Sequence, residues 1–436
     1  MHEDKASYPS RLPILIIFPY LIATLVLFLI WPVNWMIFDA WSWIRLVSYI
    51  LAAFFLLFVG YSVAVRGAVR ASKPLNWEWV VYSGAALAFI LLFPSSYFYT
   101  GRMPWDVLSA LQDQGQAYKS LIDQIEFTSG DRGPIAIARA LAAPLSFAVI
   151  PLGIIHWRGS SRGIKAAVIV TALCYVIFSV MRGTDREIGD LLILGSSGFL
   201  VLLARGVRAS AGRVSLLRRV WKPALIFVTC VAVAGFAFTG RKEARMGSTD
   251  NVCIIGSGIC ADLDSPRIAW LGEQASFGVT TFVLYATQGY YGLAISMEKD
   301  WEPTWGLGHS PILMAIYSSA TGDTDLQTRT YTYRNVIDGW PQEYFWSSLL
   351  TWFANDVGFI GALFVLGMFG ALWGASWRDA TAGHDDRAVI FFCVMMTMMF
   401  YLPANNQMMQ TLDGYFTMIT WLVLWRRGKS SRPIEG

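Results

Sequence analysis

Pro13-Ile-Leu-Ile-Ile-Phe-Pro-Tyr-Leu-Ile-Ala-Thr-Leu-Val-Leu-Phe-Leu-Ile-Trp31 is nineteen residues without a charge. A helix needs about 20 apolar residues to cross the hydrocarbon core, because no backbone polar group can go unpaired there. Working outward from this run, the same pattern recurs at Leu46–Val65, Trp79–Phe98, Ile135–His156, Lys165–Met181, Ile188–Ala204, Pro223–Thr239, Val357–Ser376, Ala388–Pro403 and Thr411–Trp425. The last is the weakest, being short and carrying Asp413 near its start. Composition agrees: 55% of the 436 residues are hydrophobic and only 15% are charged, against ~25% charged in soluble proteins, and mean hydropathy is +0.47. With a net charge of +4, the chain is not a disordered tract, a secreted disulfide scaffold or a nucleic-acid binder. The predicted class is an all-α polytopic membrane protein with about ten transmembrane helices.

Lys and Arg orient it. If the N-terminus is cytoplasmic, the inner segments hold Lys5, Arg11, Arg66, Arg70, Lys73, Arg158, Arg162 and Lys165, then the six between Arg205 and Lys222, then Arg378, Arg387, Arg426, Arg427, Lys429 and Arg432: 20 of the 34. Every short inner loop is basic, so both termini are expected in the cytoplasm. Ser276–Met297 is also uncharged over 22 residues, but a crossing there would turn the basic tail outward. Its Thr, Gln, Gly and Tyr content reads as an interfacial or re-entrant element. Met1–Arg11 is short and mixed in charge with no cleavage site after the apolar run, so the first span reads as a retained signal anchor.

The organisation is then residues 1–239 as spans one to seven with an outer cap at 99–134, residues 240–356 as a large outer loop with interfacial helices, and residues 357–436 as spans eight to ten with a basic cytoplasmic tail. The cap reads as amphipathic through Trp105, Leu108, Leu111 and Ile122. Loops as long as 240–356 are uncommon without a function. Cys174, Cys230 and Cys393 fall in apolar runs and read as small buried hydrophobes. Cys253 and Cys260 bracket a polar spacer that can close a structural disulfide outside the cytoplasm.

Chemistry concentrates at the outer span ends. Met181-Arg182-Gly-Thr-Asp185-Arg186-Glu187-Ile-Gly-Asp190 packs five charges between two apolar runs. It is either a solvated hairpin of local ion pairs or an arginine-bearing anion site, since guanidinium forks bind phosphate bidentately. Gly240-Arg241-Lys242-Glu243-Ala-Arg245 follows span seven; its cations either snorkel to lipid headgroups or share a cleft with the first cluster. The large loop carries Arg329, Arg334 and many aromatics, among them Trp305 and Tyr344. Such rings anchor at the membrane interface or stack on sugars. His309, in Trp305-Gly-Leu-Gly-His309-Ser-Pro, is the only outer histidine under this topology; a lone loop histidine is either structural or an available base. Glu343 and Asp356 flank the entry to span eight in a stretch that reads as helical from Trp340 to Asp356. About 20 Å apart on such a helix, they do not form a carboxylate pair, and Asp356 at the membrane mouth is the better candidate. There is no Walker loop and no His/Cys ligand motif, and Gly306–Gly308 is too short for a dinucleotide site. No metal or cofactor is expected.

The order of these parts resembles the Wzy-type polymerases of oligosaccharide repeat units, which build O-antigen and exopolysaccharide. The resemblance rests on Arg186 in Gly183-Thr-Asp-Arg-Glu-Ile-Gly-Asp-Leu-Leu-Ile-Leu-Gly, the basic exit at Arg241 and Arg245, Trp305-Gly-Leu-Gly in the large loop, and Leu349-Leu-Thr-Trp-Phe-Ala-Asn-Asp356-Val-Gly-Phe-Ile-Gly361. It runs from span five to the C-terminus. It implies a GT-C-like fold in a bacterial inner membrane, with the large loop in the periplasm. It also implies metal-independent glycosyl transfer between polyprenyl-pyrophosphate-linked glycans, with a chain-length regulator and a flippase as partners. Arg186, Arg241 and Arg245 would steady the diphosphate leaving group; His309, Glu343 or Asp356 would take the hydroxyl proton; Arg182, Arg329, Arg334, Trp305 and Tyr344 would bind substrate. O-antigen ligases share this layout but usually carry a histidine shortly before the final Gly-x-x-Gly span, where this chain has Pro341-Gln-Glu-Tyr-Phe-Trp-Ser-Ser. A transporter or flippase of lipid-linked sugars is the third reading, disfavoured because transporters usually place charge near the midplane.

Overall fold

The computed structural model describes residues 4–37, 39–127, 133–209, 225, 229–230, 232–233, 235–243, 252–254, 257–342 and 345–433. The protein is helical and membrane-embedded: among the described residues, seven helices are long and apolar enough to cross a bilayer. These are α1 (Asp4–Ile30), α2 (Ala40–Val65), α3 (Trp77–Thr100), α6 (Gly133–His156), α7 (Arg162–Arg182), α8 (Arg186–Ala209) and α13 (Leu349–Thr381). The short α4 (Val107–Gln112) and α5 (Gln114–Phe127) lie between α3 and α6. Two further helices of 16 residues, α14 (Asp386–Tyr401) and α15 (Leu412–Arg427), complete the C-terminal part. At about 1.5 Å per residue each is about 24 Å long, short of a ~30 Å core. The link between them, from Leu402 to Met409, is non-helical and buried; such backbone is tolerated at membrane depth only where protein surrounds it.

The helix termini define two faces. On one, here the tail face, α2 ends, α3 begins and α15 ends. There β1 (Arg70–Ser72) pairs antiparallel with β4 (Lys429–Pro433), and polar contacts tie β4 and the ends of five helices. The buried Asp379 accepts from Arg378 Nε at 2.8 Å and Trp425 Nε1 at 3.1 Å and pairs with Lys429. Asp386 meets His156 at 2.9 Å and Arg205 at 3.8 Å. Burial pushes the Asp385 carboxyl above its ordinary range.

Packing within the bundle relies on close backbone approach, since lipid gives apolar side chains no reason to leave it. Along α13 the spacing Gly367-x-x-Gly370-x-x-x-Gly374 faces α2: a methyl group on Gly370 or Gly374 would lie 2.4 Å from the Leu57 or Tyr61 carbonyl oxygen.

On the opposite face, here the loop face, a helix α9 (Glu273–Ser296) occupies the stretch expected to be interfacial or re-entrant. It starts beside the end of α1, where Trp31 Nε1 donates to Thr280 Oγ1 at 3.1 Å. It ends beside the start of α2, where Ser42 Oγ donates to Glu298 at 3.0 Å. Both ends lie on one face, so α9 does not cross, and it is enclosed by protein over most of Ser276–Ser296. The hairpin of β2 (Val252–Ile254) and β3 (Ile259–Ala261) is closed by the Cys253–Cys260 disulfide. The large loop continues through α10 (Pro311–Thr321), α11 (Asp325–Thr328) and α12 (Tyr331–Arg334). In the cap, Trp105, Leu108 and Leu111 turn outward, extending the exposed apolar belt of α3.

Two expectations are corrected. Trp340–Asp356 is not one helix: α13 starts at Leu349, since Pro341 bars helical geometry at Trp340 and Ser348 N donates to Gly289 O across to α9 and not into a helical turn. Cys174 and Cys393 are buried, but Cys230 is exposed, since the helical residues around it, including Val233 and Phe236, have few protein neighbours.

Candidate functional site on the loop face

The site is built on a break in α13. Gly358 has φ 67° and ψ 174°, a region open only to glycine, and the helix splits there into two segments. Carbonyls freed near a break need new donors: Asn355 O receives Trp301 Nε1 at 3.2 Å and the Thr304 hydroxyl at 2.9 Å, and Phe359 O receives the Tyr49 hydroxyl at 2.8 Å. Asp356 sits at this break and is wrapped by the loop before α10. Gly308 N donates to its Oδ1 at 2.7 Å and His309 N to its Oδ2 at 2.9 Å, while the Thr304 hydroxyl lies 2.5 Å from Oδ1. Asn355 secures the same loop from the neighbouring position, donating to Gly308 O at 2.8 Å and accepting from Tyr331 N at 2.8 Å.

The consequence is a dyad. His309 Nδ1 lies 2.7 Å from Asp356 Oδ2, and His309 Nε2 lies 3.3 Å from the Tyr415 hydroxyl. A carboxylate accepting from Nδ1–H leaves the lone pair on Nε2, the arrangement a general base needs. His309 and Asp356 were separate candidates in the sequence; the fold brings them into one unit.

The link from α14 to α15 joins this dyad to the arginines. Asn406 Nδ2 donates to His309 O at 2.6 Å, and Ser310 Oγ donates to Met409 O at 2.6 Å. Gln407 Nε2 approaches Asp190 at 3.4 Å, and Asn405 donates to Gln410 at 2.7 Å. Thr411 caps α15 and accepts from Arg186 Nη2 at 3.3 Å. It lies one helical turn before Tyr415, whose N–H donates to Thr411 O at 3.0 Å. The relay Arg186–Thr411–Tyr415–His309–Asp356 therefore passes through α8, α15, the loop before α10 and α13.

Arg182, Arg186 and Arg241 do converge, around the hairpin between α7 and α8. Arg182 pairs with Glu187, Arg186 Nε lies 3.7 Å from Asp190, and Arg241 is 2.6 Å from Asp185. The hairpin thus has its local ion pairs yet is largely enclosed, with Glu187 and Asp190 buried. Arg139 of α6 joins it, held by Asp413 at 3.0 Å and sharing the Tyr99 and Phe178 rings with Arg182. Side-chain exposure separates their roles: 8% for Arg241, 19% for Arg182 and 34% for Arg186. Arg186, the most open and most loosely paired of the three, is the one best placed to receive an anion.

Arg334 stands apart, bound to Glu302 at 3.0 Å and to Asp300 O, and Arg329 lies near Tyr317, whose hydroxyl is turned toward Asp323. Neither joins the arginine cluster. Trp305 is on the loop that wraps Asp356. Glu343, Tyr344 and Arg245 lie outside the described residues. Sequence reasoning missed Tyr415, Asn406, Gln407 and Arg139. Four amides within Asn405-Asn-Gln-Met-Met-Gln410, between two apolar runs, were the available signal for the link; Arg139 had none beyond being a cation in a span. Among the described residues, no group of His, Cys, Asp and Glu could hold a metal ion.

Comparison with known proteins finds no matching family model, no matching curated protein and no matching solved structure.

Proposed function

We propose that this protein polymerises polyprenyl-pyrophosphate-linked oligosaccharide repeat units into O-antigen or exopolysaccharide, by metal-independent glycosyl transfer on its loop face. The observation that carries this reading is the His309–Asp356 dyad, joined through Tyr415 and Thr411 to Arg186. An acceptor sugar hydroxyl gives its proton to His309 Nε2 as its oxygen bonds to the donor's anomeric carbon. The bond from that carbon to the phosphate oxygen breaks, and the diphosphate leaves with the electron pair. Asp356 steadies the imidazolium, and Arg186 offers its fork to the charge developing on the leaving group. Lipid tails confine both substrates to one plane, so proximity supplies part of the acceleration.

On this reading the loop face is periplasmic and both termini are cytoplasmic in a bacterial inner membrane. The residues around 225–243, α14 and α15 bring the spans to ten, in a GT-C-like arrangement. Two independent features support the orientation: the disulfide on the loop face, which belongs to an oxidising compartment, and the basic segments on the tail face. An O-antigen ligase is the second reading. It is favoured by the position of His309, which the fold delivers beside Asp356, just ahead of Gly358-x-x-Gly361, where the sequence lacked a histidine. Purified protein incubated with defined lipid-linked repeat units tests the proposal. Ladders of polymer on the lipid carrier are expected without added metal, whereas transfer only to a lipid A core acceptor would establish the ligase, and no transfer at all would sink both.

A further inference from the structure

Thr304–Leu307 is a tight turn, closed by Leu307 N donating to Thr304 O at 3.1 Å. Its two central residues both have left-handed backbones, with φ 55° at Trp305 and 80° at Gly306. Positive φ at both positions is the signature of a type I′ turn, which Gly, Asn and Asp normally fill; a bulky aromatic there is a genuine outlier. Packing of its side chain does not account for it, because Trp305 is 74% exposed. The turn is nevertheless anchored on both sides, with Thr304 on one arm and Gly308 and His309 on the other all bonded to Asp356. The Cα of Trp305, at the tip of a rigid turn four residues from the dyad histidine, is held within roughly 14 Å of that of His309 by chain length alone. That is about the reach of a disaccharide. An interfacial anchor would need only exposure, not a strained backbone fixed to the dyad's carboxylate.

We propose that Trp305 is a stacking platform for the acceptor glycan, presenting its flat apolar face to the sugar ring that offers a hydroxyl to His309, or to the ring beside it. The proposal rests on the polymerase reading for the identity of the glycan. It names a binding subsite separate from the groups that move protons and charge.

Trp305→Gly provides a clean test, because glycine suits the left-handed turn better than tryptophan and removes only the ring. The probe is the repeat-unit oligosaccharide released by mild acid from lipid-linked material of cells lacking this gene. Its binding to the full-length protein in micelles is measured by titration calorimetry. Wild type is expected to bind saturably, Trp305→Gly at least tenfold more weakly and Trp305→Phe within about threefold of wild type. Equal binding by wild type and Trp305→Gly, or no saturable binding by wild type, would overturn the platform. Equal binding combined with poorer retention of Trp305→Gly in liposomes would overturn it in favour of a membrane anchor. A tenfold loss in Trp305→Gly supports the platform even if wild type makes no polymer, a result that would defeat the polymerase reading instead.

Discussion

The imidazole of His309 has two tethers, Asp356 on Nδ1 and Tyr415 near Nε2, and each can be cut separately. His309→Ala is expected to lower polymer synthesis by roughly 10²–10⁴-fold, the range of general base catalysis, in initial-rate assays on purified protein. Asp356→Asn should fall in the same range, because an amide can hold the ring in the wrong tautomer. A rate within threefold of wild type for either variant would remove the dyad from the mechanism. Arg186 is tested by the shape of the fork rather than its charge. Lysine keeps the cation but loses the bidentate geometry, so Arg186→Lys should reduce long polymer to single repeat units on a gel while the protein still inserts. Normal-length polymer from that variant would cancel the assignment. Both His309 and Asp356 were visible in the sequence as isolated candidates. Their union was not, because 46 residues separate them and only the loop's hydrogen bonds to Asp356 bring them together.

At the scale of elements, the decisive object is a broken helix. The stretch before Gly358 was expected to be a longer, continuous helix from Trp340; instead α13 begins at Leu349 and divides at a glycine whose backbone no other residue readily adopts. Gly358→Ala should cost ~1–3 kcal/mol through that conformation alone, since the nearest atoms of Trp301 leave ordinary room for a methyl group. The expected result is a lower midpoint in detergent thermal unfolding, with a larger fractional loss of turnover because Asp356 loses its aim. An unchanged midpoint would show that the break is not required. The polar link between α14 and α15 was legible only as amides between two apolar runs. Its backbone path, which places Asn406 under His309, depends on burial by surrounding helices that no local pattern encodes.

For the molecule as a whole, the two faces do different work. The tail face is a clamp: Asp379 is buried with Arg378, Trp425 and Lys429 around it. Removing one partner of a buried ion pair strands the other charges, so Asp379→Ala should destabilise by about 3–5 kcal/mol, read as a fall in the thermal midpoint without a selective change in substrate affinity. The orientation is checked by reporter fusions. Alkaline phosphatase inserted at the exposed Gly322 is expected to be active and the same reporter after Gly436 inactive; the reverse pattern would invert the proposed topology. What the sequence determined by itself was the class of protein, most of its spans and the basic side of the membrane. Those follow from the energetics of apolar runs and charge against lipid, which act residue by residue. Only the tertiary structure decided that a histidine from a distant loop meets Asp356, and that Arg241 reaches the hairpin of Arg182 and Arg186. Those are matters of which hydrogen bonds close over long chain separations, and a linear pattern of polarity carries no information about them.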